Sequence, residues 1–118
     1  MVAVVSGQLL SGCAWFEKKP SPIAGTWKNA LGSVWTLRDD GTFEVDLDKD
    51  GKRDAWGKYS IDQETISVQS TGGLMPKGCD GKGVYQFTRT GDELQLKLLS
   101  DRCKLRKKNL RLPWKLQK

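Results

Sequence analysis

The sequence predicts an all-β domain: an eight-stranded antiparallel up-and-down barrel, short and not necessarily fully closed. Three observations carry this. Apolar and polar residues alternate with a period of two along several runs, as in Phe43, Val45 and Leu47 against Glu44, Asp46 and Asp48. Such runs return at short intervals, separated by turn residues, the spacing of a barrel or sandwich. Helical periodicity is not sustained in any window.

The strands are expected at 25–30, 33–39, 42–48, 54–61, 65–71, 83–90, 93–100 and 108–116. Tyr59 shares a face with Ile61, Ile66 with Val68, and Tyr85 with Phe87. Leu94, Leu96 and Leu98 alternate with Gln95 and Lys97, and Leu110, Leu112, Trp114 and Leu116 with Asn109, Arg111 and Lys115. One apolar and one polar face per strand is the pattern of an antiparallel sheet wrapped on a core. Asp40-Gly41, Asp62-Gln63 and Gly91-Asp92 are turn formers. Pro113 within the last strand implies an edge or a bulge there. Eight short strands in sequence order can close and remove exposed edges. In a meander the connections alternate between two ends. The long ones, 49–53, 72–82 and 101–107, then share one end, and the tight turns and the entering chain share the other.

Gly25-Thr26-Trp27, at the head of the first strand, resembles the Gly-x-Trp signature of the lipocalin/calycin superfamily. The resemblance implies a Trp that plugs the closed end of the barrel beneath a basic residue of the last strand, with Arg111 or Lys115 as that partner. It covers residues 23–118. The chain is shorter than a typical lipocalin, and its first loop, Leu31-Gly32, is tiny where lipocalins have a long lid.

Before the barrel, Leu10-Ser11-Gly12-Cys13 follows an apolar stretch, Val2-Ala3-Val4-Val5. The run resembles a bacterial lipobox, at which a prolipoprotein is lipidated on Cys and cut just before it. The implied organisation is a signal peptide over 1–12, whose start is expected upstream of Met1, a lipidated Cys13 with a tether over 13–24, and a barrel domain over 25–118. Glu17, Lys18, Lys19, Pro20, Ser21 and Pro22 give the tether its stiff, solvated character. Ala14 after the Cys resembles the outer-membrane sorting pattern. The expected location is the cell envelope, on an outer membrane and facing the periplasm. The acyl chain would hang from the closed end and the mouth would face away.

In such an oxidising compartment the remaining pair, Cys79 and Cys103, reads as a disulfide, and loop parity places both at the same end. Closing that loop contributes roughly 3 kcal/mol in the chain-entropy model, useful to a core this small.

Histidine is absent, which removes His bases, His-assisted nucleophiles and His metal ligands. No nucleophile–base pair presents itself, so the reading is not an enzyme, with no cofactor required. Lys and Arg total 20 against 14 Asp and Glu, for a formal net charge of +6. Much of the excess falls late, among Arg102, Lys104, Arg106, Lys107, Lys108 and Arg111. Such a surface suits an acidic protein or a polyanion; export excludes nucleic acid. A monomer is expected.

Two sites follow. Asp46, Asp48, Asp50 and Asp54, with the Lys52 carbonyl, have the spacing of a calcium loop, with Gly51 at its turn. The twelfth position is Gly57 rather than the bidentate Glu, so any affinity is weak, roughly 0.1–1 mM. The inward aromatics Trp35, Phe43, Tyr59, Tyr85 and Phe87 are the pocket residues for a small apolar ligand. The resulting expectation is a lipid-anchored, non-enzymatic periplasmic binding protein. The alternatives are an interaction or inhibitor module working through the open-end loops, with Met75, Pro76 and Lys77 in contact, or an envelope structural protein.

Overall fold

A computed structural model describes residues 21–118. The signal segment, Cys13 and the tether as far as Pro20 lie outside the described residues. Eight strands form one closed antiparallel barrel in sequence order. They are β1 (Gly25–Lys28), β2 (Val34–Leu37), β3 (Thr42–Asp46), β4 (Ala55–Asp62), β5 (Thr65–Gly73), β6 (Lys82–Thr90), β7 (Glu93–Ser100) and β8 (Trp114–Leu116), with a helix α1 (Lys104–Leu110) between β7 and β8. The ring is completed where β8 pairs with both β7 and β1, with Leu94 opposite Trp114 and Trp27 opposite Leu116.

The period of two turns into packing without further help. Trp35 and Leu37, Phe43, Tyr59, Ile66 and Val68, Tyr85 and Phe87, and Leu94 and Leu96 are all buried in one core with Trp27, Leu110 and Trp114. Trp35 and Trp114 meet within it, ring centroids 5.3 Å apart and tilted by 50°, within the range of favourable aromatic pairs. A barrel holding this many aromatics also needs places where strands approach closely. Gly57 supplies one: a Cβ there would sit 2.0 Å from the Gln69 carbonyl oxygen of β5. The β4–β5 register shifts at Trp56/Gly57, the local kink a bulge produces.

The strand expected at 108–116 is corrected. Residues 104–110 are helical, and β8 begins only at Trp114, after Pro113. Cys103 caps the helix: its backbone is extended and its Sγ accepts from the Arg106 N–H at 3.3 Å. Lys107 and Lys108 fill the last turn, where cations meet the negative end of the helix dipole. Asn109 and Leu110 face the core. Alternation over 109–116 imitated a strand because Leu110 and Trp114, four apart, both point inward from two different elements. Pro113 precedes β8 and costs no ladder bond.

The two ends differ as loop parity requires. At one end lie the connections 38–41, 63–64 and 91–92; at the other lie 29–33, 47–54, 74–81 and 101–113. The packed unit starts earlier than Gly25. Ile23 is fully buried, and the Ser21 N–H donates to Asp39 Oδ1 at 2.8 Å.

Candidate functional site

At the closed end Trp27 is fully buried, and its Nε1 donates to the Ile23 carbonyl at 2.9 Å. The cation over its ring is Arg89 of β6, 5.0 Å from the centroid. This corrects the expectation of Arg111 or Lys115. Arg111 caps α1 at the other end, and Lys115 is exposed on β8, opposite Lys28 and Glu93. Arg89 also donates to the Gly91 and Pro22 carbonyls, at 2.8 and 3.0 Å. One side chain thus straps the entering chain across the plug.

The mouth is built differently. Cys79 and Cys103 form a disulfide, Cα atoms 4.3 Å apart. It ties loop 74–81 to the start of α1, and α1 lies across the opening. Beneath them is a cavity of about 70 Å³, lined chiefly by apolar groups that include Trp35, Phe43, Val68, Leu74, Leu105 and Leu110. Leu74 is about half exposed, so the cavity opens beside it. About 70 Å³ is room for roughly five waters and well short of the ~300 Å³ at which ligand pockets begin.

Of the five expected pocket aromatics, Trp35 and Phe43 line this cavity. Tyr59 belongs to the other end, where its hydroxyl donates to the Arg38 carbonyl at 2.6 Å. Phe87 is buried within the barrel core and is not among the cavity's lining groups. Tyr85 is fully buried, and its hydroxyl donates to Asp101 Oδ2 at 2.5 Å. Burial, then the bond to Asp101 and that carboxylate's charge, raise the Tyr85 hydroxyl far above its ordinary pKa.

Two polar networks hold α1 in place, and sequence reasoning found neither. In the first, the Asp101 carboxylate receives Arg106 Nε at 2.7 Å and Nη2 at 2.8 Å, the Tyr85 hydroxyl and the Cys103 N–H. Burial alone would raise the Asp101 pKa; these hydrogen bonds and the guanidinium charge outweigh it and hold the group below its ordinary value. In the second, Asn109 Oδ1 accepts from the Ser33 hydroxyl at 2.6 Å and from Asn29 Nδ2 at 3.3 Å. Asn29 Oδ1 in turn accepts from the N–H groups of Leu31 and Ser33. Three polar residues, all buried, thereby join the β1–β2 connection to the helix. A sequence signal existed for the cap, a Cys three residues before Arg106, but none for a pairing across 80 positions.

Beside the mouth, the loop after β3 gathers Asp46, Asp48, Asp50 and Asp54. One carboxylate oxygen from each lies within 4.8 Å of the others. Much of their capacity is spent on the turn: Asp46 accepts from the Asp48 and Gly51 N–H groups, Asp48 from Asp50, Asp50 from Lys52, and Asp54 from Leu47. Desolvation raises the Asp46 pKa, but bonds led by that of Gly51 lower it overall; Asp48 is raised by desolvation and by its carboxylate neighbours.

No family model, no curated protein and no solved structure significantly matches this chain.

Proposed function

We propose that this chain is a lipid-anchored, non-enzymatic binding protein of the bacterial cell envelope whose barrel mouth takes a small apolar ligand. The observation that carries the reading is the apolar cavity under α1 and the disulfide. It opens at the end opposite to that where the chain enters β1. With Cys13 acylated, on a periplasm-facing outer membrane, the mouth points away from the bilayer. The rest of the interior is filled by aromatic and aliphatic side chains, so the ligand is short, or only its end enters.

Two measurements test this. Cys13→Ser should move the protein from the membrane to the soluble periplasmic fraction; retention on the membrane overturns the anchor. Native mass spectrometry of protein purified from its own host should show a small adduct together with the acyl chains. An adduct-free barrel overturns the ligand.

A second reading is favoured by the same end of the molecule. Leu31, Leu74 and Met75, all substantially exposed, sit in the mouth-end connections, at the same end of the barrel as the cationic Lys104, Lys107 and Lys108 of α1. A mixed apolar and basic rim suits an acidic protein partner. The convergence of the four Asp carboxylates supports weak calcium binding in the loop after β3.

A further inference from the structure

Among the described residues, two buried side-chain nitrogen atoms have no hydrogen-bond partner: Arg106 Nη1 and Trp114 Nε1. Both residues line the mouth cavity. Both atoms are donors, and neither can accept. A buried donor without an acceptor is destabilising, so such groups are rare in folded proteins and call for an explanation. Here the two residues that carry them line one cavity whose other walls are largely apolar.

The two donors are also held in place. Arg106 is fixed by Nε and Nη2 bonds to Asp101 and by a second Nη2 bond, to the Gly81 carbonyl at 2.8 Å, which leaves Nη1 unused. Its side chain is 10% exposed. Trp114 is fully buried and packs on Trp35. Neither nitrogen is open to water as it stands, so an acceptor reaches them through a small shift of the neighbouring cavity wall. The two donors themselves are already placed, which lowers the entropic cost of binding.

The chemistry specifies the ligand's polar end. It must accept hydrogen bonds, and it must match the local charge. Asp101 balances Arg106, while Lys104, Lys107 and Lys108 on α1 leave the helix positive. An anionic acceptor gains charge-assisted bonds there, and no carboxylate lines the cavity to meet a cation. The half-exposed Leu74 gives a hydrocarbon tail an apolar exit from the cavity.

We infer that the mouth cavity binds the carboxylate of a short apolar monocarboxylic acid, with Arg106 Nη1 and Trp114 Nε1 donating to it. The inference rests on the reading of the mouth as an apolar-ligand site and adds what that ligand carries at its buried end.

The test is a titration of the ¹⁵N-labelled full chain with hexanoate and, separately, with hexylammonium, a tail of the same length without an acceptor. Trp114→Phe keeps an aromatic ring, removes the donor and identifies the Trp114 indole signal. Hexanoate should shift that signal downfield in a saturable manner and bind at least about tenfold more tightly than hexylammonium, the scale of one charge-assisted hydrogen bond. Trp114→Phe should weaken hexanoate several-fold and leave hexylammonium unchanged. Arg106→Lys should weaken hexanoate as well; if it does not fold, Trp114→Phe alone decides. Equal binding of the two probes, or hexanoate binding that Trp114→Phe does not weaken, overturns the carboxylate assignment and leaves the apolar-ligand reading standing. Failure of both probes to bind, with the indole signal unmoved, overturns both and assigns the two donors to water.

Discussion

Removing the disulfide should destabilise the barrel by an amount that the sequence separation sets. The bridge closes a loop across 24 positions. In the chain-entropy model that constraint on the unfolded chain is worth about 3 kcal/mol at 25 °C. A domain of this size unfolds with an entropy of about 0.2 kcal/mol/K near its midpoint, so the loss corresponds to a fall in Tm of roughly 15 °C. The structure adds a second contribution, because Cys103 Sγ also caps α1. Two double variants separate the two. Cys79→Ala with Cys103→Ala loses bridge and cap. Cys79→Ala with Cys103→Ser loses the bridge but keeps an oxygen that accepts from the Arg106 N–H, and should be more stable than the first by about 1 kcal/mol. Differential scanning calorimetry and urea titration of the three proteins give both differences. The urea slope should rise in both variants as the unfolded chain expands. A Tm fall below about 4 °C, equivalent to less than about 1 kcal/mol, would refute the reasoning: loop 74–81 and α1 would then be held by their other contacts, and the bridge would be incidental.

Asn109→Ala removes the acceptor of the Ser33 hydroxyl and one acceptor of Asn29, all three buried. It should cost about 2–4 kcal/mol in urea denaturation, and a change under about 0.5 kcal/mol would show that water replaces the amide. The Asp101 carboxyl is held below its unfolded pKa, so the stability it contributes is complete above that unfolded value, near 4, and is lost as pH falls through the lower folded value. Asp101→Asn should therefore flatten the acid limb of the stability profile below about pH 4, and an unchanged limb would assign it to other carboxylates. Gly57→Ala should destabilise by about 1–3 kcal/mol or more through its collision with the Gln69 carbonyl, whereas Gly81→Ala, with nothing near its Cβ, should stay within about 0.5 kcal/mol of the parent. Millimolar calcium should raise Tm modestly by mass action, Asp48→Asn with Asp50→Asn should abolish the rise, and no shift at about 10 mM would leave a plain turn.

The strands were legible because their signal is local. Where a strand faces core on one side and water on the other, as in Phe43-Glu44-Val45, alternation reports burial directly. The helix was not legible. Its seven residues span two turns, too short for a helical period to emerge, and Leu110 and Trp114 continue an apparent alternation from either side of Pro113. The disulfide was legible through loop parity, a property of the order of the strands. Arg89 was not: Trp27 selects its cation by proximity around the closed end, and that depends on which exposed strand position overhangs the plug. The convergence of Asp46, Asp48, Asp50 and Asp54 could be read from spacing, because one turn brings them together. The mouth cavity and its two unpaired donors could not, since they depend on how α1 settles over the barrel after the strands are in place.

The chain enters β1 and leaves β8 at the same end of the barrel. Gln117 donates to the Thr26 carbonyl, and Lys118 pairs with Asp92 in the 91–92 turn. Tags, surface linkages or fused domains attached at either side of the barrel therefore sit away from α1 and leave the mouth unobstructed. The same proximity makes the barrel a good subject for circular permutation. A short linker from 118 back to 21, with new ends opened at the 63–64 turn, would keep every strand pair while moving the point of attachment to a different staple of the ring. Binding measured on such a permutant would report on the mouth alone, independent of how the protein is tethered.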